Sequence, residues 1–207
     1  MQCSACGMSC GVFHSCVAPI LPAEEAAAVP EGIAAIYYLR LAFNIARWDD
    51  LAIRSASRDP QALLYGMVFS MISAAIVFLV TALPGMLARQ GATAGTIFWG
   101  LLLGLLFVWV YMGAIAFIQF GFCHLMARWF LGATGTFFGV MRPLLLGWFV
   151  NGLVLIPVVG ALASAIAWTL VLMMVFEEVD GLGRLQAFLL AAGINAFFLV
   201  LLYTLPQ

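Results

Sequence analysis

Four cysteines fall within the first sixteen residues, spaced Cys3-x2-Cys6-x3-Cys10-x5-Cys16, with His14 among them. A C-x2-C followed by glycine, here Cys3-Ser4-Ala5-Cys6-Gly7, has the form of a zinc knuckle. Two thiolates straddle a tight turn, and the glycine lets backbone N–H groups face the sulfurs. Zinc takes four ligands at tetrahedral corners, which Cys3, Cys6, Cys10 and Cys16 can supply, and His14 can stand in for Cys10 or Cys16. The same thiols can instead hold an iron–sulfur cluster, although their spacing matches neither common ferredoxin pattern, or stay unmetallated or redox-active. A head this short cannot bury a core, so a bound metal would supply its folding energy. Four protein ligands close the metal to substrate, and the expected role is structural or recognitive.

A second group is acidic. Glu177, Glu178 and Asp180 lie in the segment Glu177–Arg184, where they can hold a divalent cation, contact a partner, or form a solvated loop. Cys123-His124, with Arg128 about one turn further on, reads as a small cysteine beside a histidine that anchors a helix end. No nucleophile–base pair, glycine-rich phosphate loop or metal-hydrolase signature appears, so no enzyme is expected. No basic, aromatic-interleaved patch points to nucleic acid.

These groups are carried by a chain that is 66% hydrophobic and 8% charged, against roughly a quarter charged in a soluble domain. From Ala62 onward the charged residues are Arg89, Arg128, Arg142, Glu177, Glu178, Asp180 and Arg184 alone, with no lysine. Such a surface cannot be covered by water, and an all-α integral membrane bundle in a lipid bilayer is expected. Met1–Cys16 lacks a positive n-region and a continuous apolar stretch, so neither a secretory nor a lipoprotein signal is expected and the head should stay where it is made.

Residues 1–17 form the head and 18–32 a Pro- and Ala-rich acidic linker. Residues 33–58 read as one amphipathic helix (Ile33–Ser57). Arg40, Asn44, Arg47, Arg54 and Arg58 draw a polar stripe, and Ile33, Tyr37, Leu41, Ile45, Trp48 and Ala52 an apolar one. That pattern suits a helix in the headgroup layer, or one packed on the bundle. Asp59-Pro60 breaks it, and residues 59–207 form the membrane domain. Spans are expected at about 62–83, ended by Pro84-Gly85, and at 96–122, where Gly100 and Gly104 permit close helix approach. Arg142 to Glu177 encloses 34 uncharged residues, about 51 Å as one helix and too long for a ~30 Å hydrocarbon core. With Pro157-Val158-Val159-Gly160 at its centre, this run predicts a hairpin of spans 143–158 and 160–176, or a re-entrant pair. A last span at 185–205 makes five.

With the N-terminus in the cytoplasm, seven of the eight arginines fall inside and only Arg89 outside, the expected bias for this orientation. The C-terminus then lies outside. In a reducing cytoplasm, clustered thiols point to metal rather than disulfides. No ionisable residue is expected deep in the spans. Gln119, Asn151, Thr169 and Asn195 are the most polar groups there, suited to interhelical hydrogen bonds, and their scarcity argues against an ion-coupled transporter.

Several stretches resemble one family. Leu125-Met-Ala-Arg-Trp-Phe-Leu-Gly-Ala-Thr-Gly-Thr-Phe137, Met141-Arg-Pro143, Ile156-Pro-Val-Val-Gly160, Trp168 and Phe176-Glu-Glu-Val-Asp-Gly-Leu182, with the Arg58-Asp-Pro60 entry, are similar to the Yip (Rab/Ypt-interacting) membrane proteins, the bacterial branch above all. The resemblance covers about residues 54–205. It implies a five-span bundle with a cytoplasmic N-terminus, often behind a short cysteine ribbon, and no catalytic residues. In eukaryotic relatives it implies binding of small GTPases and the shaping or sorting of secretory membranes; in bacteria it implies no settled activity.

The expected function is a non-enzymatic scaffold or subunit of a larger complex in the bacterial inner membrane, docking a protein partner through a zinc-bound head. The alternatives are a transporter or permease subunit using Asn151 and Asn195, or a membrane redox subunit if the cysteines hold iron–sulfur.

Overall fold

The computed structural model describes residues 34–89 and 93–204. The cysteine head and the linker, with Cys3, Cys6, Cys10, His14 and Cys16, lie outside the described residues.

Two short helices come first, α1 (Ala34–Ala46) and α2 (Asp50–Arg58). The single helix expected over 33–58 is therefore broken. Trp48 adopts a left-handed φ of 62°, and Asp49 starts a new helix by accepting from the backbone N–H groups of Leu51 and Ala52. The polar stripe keeps its spacing across the break, which hides it from a periodicity argument. Tyr38, Leu41, Ala42 and Ile45 of α1 and Ala52, Ile53 and Ala56 of α2 are buried, so both helices pack on the bundle as a cap. Trp48, expected on the apolar face, is instead turned outward.

The long helices follow. α3 (Gln61–Leu87) runs through Pro84, one turn beyond the expected stop, as membrane helices tolerate proline near their ends. α4 (Ala94–Leu131) opens on a capping box between Thr93 and Thr96 and ends at Gly132, whose φ of 71° suits glycine. Its 38 residues extend about 57 Å, well past the expected end at Phe122. Gly104 sits under the ring of Phe78, and Gly100 faces Met86; the two glycines bring α3 and α4 together.

α5 (Phe137–Gly147), capped by Thr136, continues as a 3-10 segment from Trp148 to Leu155. The chain turns over Ile156–Val159 into α6 (Gly160–Asp180). The hairpin expected at Pro157–Gly160 is present, but α6 runs on to Asp180, so the three acidic residues are helical rather than in a loop. Gly181, at φ 69°, ends α6, and α7 (Arg184–Thr204) follows. No strand occurs among the described residues. Among the described residues four segments are long and apolar enough to cross a membrane: Gln61–Leu87, Ala94–Leu131, Phe137–Leu155 and Gly160–Asp180.

α5 is the hub, packed against α1, α2, α3 and α6. It runs parallel to α3: Gly66 lies against Leu145 and Leu146, and seven residues on, Ser73 lies against Gly152. Phe120, Trp148 and Trp168 form an aromatic cluster with ring centroids 5.0 to 6.0 Å apart, joining α4, the 3-10 segment and α6.

Candidate functional site

The charged side chains among the described residues, Arg89 apart, gather at one end of the bundle, where the cap, the start of α3, the C-termini of α4 and α6 and the N-termini of α5 and α7 meet. Apolar packing sets the cap there, and a few directed bonds fix its angle. Tyr38 is fully buried, stacks on Tyr65 at 4.1 Å between ring centroids, and donates its hydroxyl to Asp59 at the α2–α3 junction. Burial first, then the Asp59 carboxylate, pushes the Tyr38 hydroxyl well above its ordinary range. Arg142 of α5 donates to the carbonyl oxygen of Ser57 at 2.8 Å. Arg54 pairs with Glu178 of α6, and that hydrogen bond and charge hold its guanidinium further toward the charged form. Arg40, Arg47 and Arg58 stay exposed, as the polar stripe predicts.

The acidic group does not converge on one point. Glu178 turns to Arg54 and Glu177 toward Arg184, with 4.0 Å between charged atoms. Asp180, 1% exposed, points inward, and its Oδ1 lies 4.0 Å from Nδ1 of His124. His124 Nδ1 has no hydrogen-bond partner among the described residues, while the Asp180 carboxylate faces the Gly135 backbone N–H. The Asp180 carboxylate lies against Gly135, where any Cβ would collide with it, and the Asp180 carbonyl accepts from the Thr134 N–H at 3.2 Å. Among the described residues no three His, Cys, Asp or Glu side chains form a group able to hold a metal. The arrangement ties α2, α4, α6 and α7 together.

The buried His124–Asp180 pair is what sequence reasoning missed. His124 was expected as an anchor at a helix end, and Asp180 in a solvated loop. The signal was Asp180-Gly181, an acid directly before a helix-stopping glycine, which puts it on the last helical turn. Cys123 is fully buried beside them.

Of the polar groups expected inside the spans, Gln119 is buried on α4, and Asn151, Thr169 and Asn195 serve helix pairing. Asn195 donates to Thr169 Oγ1 at 2.7 Å and to the Ala165 carbonyl at 3.1 Å. The Asn151 amide donates to the Trp148 carbonyl, and its oxygen accepts from Ser164 at 3.2 Å. Both asparagines thus bond to α6, on different faces of it.

No protein-family model, curated protein or solved structure matches the chain.

Proposed function

We propose that this chain is a non-enzymatic scaffold or complex subunit of the bacterial inner membrane. In this reading α3, α4, α5 with its 3-10 continuation, α6 and α7 are five membrane-embedded segments. The arginine-rich end faces the cytoplasm, and a zinc-bound head on Cys3, Cys6, Cys10 and Cys16 docks a protein partner there. The observation that carries it is the cap: α1 and α2 bury Tyr38, Ile45 and Ile53 completely, so the segment leading from the head arrives at a fixed place on the bundle. A tethered recognition element needs such a fixed base to present a partner in one orientation. The arginine distribution supports the side, and the Yip resemblance supports the order of segments and the cytoplasmic N-terminus.

The test is elemental analysis of the full chain purified anaerobically in mild detergent, followed by in-membrane cross-linking of the wild type and a Cys3→Ser/Cys6→Ser variant. The expected result is one zinc per chain, lost in the variant together with the cross-linked partner while the bundle stays inserted. Partner capture that survives the double change overturns the docking role. Iron with a visible charge-transfer band replaces the reading with a redox subunit.

A further inference from the structure

We infer that the hairpin of α5, its 3-10 continuation and α6 is re-entrant, entering from the arginine-rich end and turning back at Ile156–Val159 inside the hydrocarbon, so that its tip binds lipid acyl chains rather than water.

Two independent depth measures agree. The first is α3, which runs parallel to the hairpin. Ser73 lies beside Gly152; beyond that level α3 continues fourteen residues to Leu87, about 21 Å of helix. The 3-10 segment has three residues left before its end at Leu155, about 6 Å at its steeper rise. The hairpin therefore stops well short of the far end of α3. The second measure is the cap. Phe43 packs on Phe149 with ring centroids 5.1 Å apart, and Ile45 lies against Gly147. The exposed charged turn Arg47–Asp50 follows within a few residues and requires water or headgroups at about that depth. From Phe149 to the end of the 3-10 segment is six residues, about 12 Å, which with the turn reaches roughly the middle of a ~30 Å hydrocarbon core.

The chemistry of the tip fits that medium. Ile156, Val158 and Val159 are exposed, Val158 completely, and no polar side chain lies between Leu153 and Ala163. A non-helical turn in lipid must satisfy its own backbone donors. Here Ile156 N–H donates to Leu153, Val159 N–H to Pro157 and Gly160 N–H to Ile156, each at 2.8 to 2.9 Å, and Pro157 has no N–H to place, which leaves the N–H of Val158, at a left-handed φ of 68°, as the turn's one donor outside this set. Gly160 lies so close to the Leu153 and Val154 carbonyls that a Cβ would clash, which lets the two arms close without a wider, polar loop.

This deepens the scaffold reading, on which it rests for the identity of the side, by confining aqueous partners of the hairpin to the cytoplasmic end. It does not depend on the head. The test places an azide-bearing phenylalanine at position 158 of the full chain, or at position 89 as a control, in sealed right-side-out and inverted vesicles. A membrane-impermeant cyclooctyne dye should label position 89 from one side and position 158 from neither. A permeant dye joined to position 158 and reconstituted should be quenched more by lipids brominated near their chain ends than by lipids brominated near the headgroup. Labelling of position 158 from either side, or stronger quenching by the headgroup-proximal lipids, overturns the proposal. Both readouts are independent of metal and partner, so their failure is distinguishable from failure of the docking role.

Discussion

The two ends of this bundle are held by different physics. At the arginine-rich end the chain closes on itself with directed bonds, Tyr38 to Asp59, Arg142 to the Ser57 carbonyl and Arg54 to Glu178, around the buried neighbours His124 and Asp180, 4.0 Å apart. Glycines there leave room for specific neighbours, Gly135 for Asp180 and Gly139 for Thr136. At the other end, α3 and α4 run on together with, among the described residues, one long-range side-chain bond, from Trp109 Nε1 to the Met71 carbonyl at 3.1 Å. Phe98, Trp99, Leu103 and Phe107 face outward there. The first end is specified by mutual fit and the second by the solvent it sits in, so the same substitution should have unequal consequences at the two.

The largest contrast is expected between two glycines. A Cβ at Gly135 would collide with the Asp180 carboxylate and approach the Val179 carbonyl to 2.8 Å, whereas a Cβ at Gly85 meets nothing within 4 Å. Gly135→Ala should cost about 3 kcal/mol, because overpacking at a rigid contact displaces backbone as well as a buried carboxylate. Gly85→Ala should leave stability unchanged or raise it slightly, since alanine is the better helix former. Denaturant titration in detergent checks both, and equal effects would erase the distinction between the ends.

A smaller effect is expected from the one tyrosine that anchors the cap. Tyr38→Phe keeps the stacking on Tyr65 and removes the hydrogen bond to Asp59, a loss of about 1.5–2 kcal/mol for a bond to a charged acceptor. Because the folded state raises the Tyr38 hydroxyl above its unfolded value, its contribution is complete below the ordinary tyrosine range near ~10 and is lost as pH rises through the folded value. Absorbance titration should show one of the five tyrosines ionising last, and that late phase should vanish in Tyr38→Phe.

The long apolar helices were legible because bilayer-facing runs admit no charge, and Pro157–Gly160 marked the hairpin because a single helix could not absorb 34 uncharged residues. Their ends were less legible. Near Leu131 and Asp180 each helix continues past the point where local signals suggest a stop, since the packed neighbours at the arginine-rich end extend the environment in which a helix is stable; near Leu87, at the other end, the helix simply runs on through Pro84. The break at Trp48 escaped notice because it restarts the helix almost in phase. Asp180 and His124 escaped because the closure that pairs them joins residues 56 positions apart in sequence, and the composition of a short acidic run cannot tell which of its members will turn inward.

The smallest effect should come from the ion pair that looks most prominent. Arg54 remains 56% exposed while Glu178 is 11% exposed, so water screens much of their attraction and the coupling in a double-mutant cycle should stay below about 1 kcal/mol and fall further with added salt. The asymmetry of burial sharpens this. Arg54→Ala strands a largely covered carboxylate, whereas Glu178→Gln leaves the guanidinium in solvent, so the arginine change should cost more than the glutamate change. Protease cleavage at the α2–α3 junction reports directly on cap docking. If both single variants stay protected, the buried faces around Tyr38, Ile45 and Ile53 hold the cap, and Arg54 only sets its angle. If cleavage rises in step with salt in the wild type, charge holds the cap, and the arginine-rich end is specified by electrostatics more than by fit.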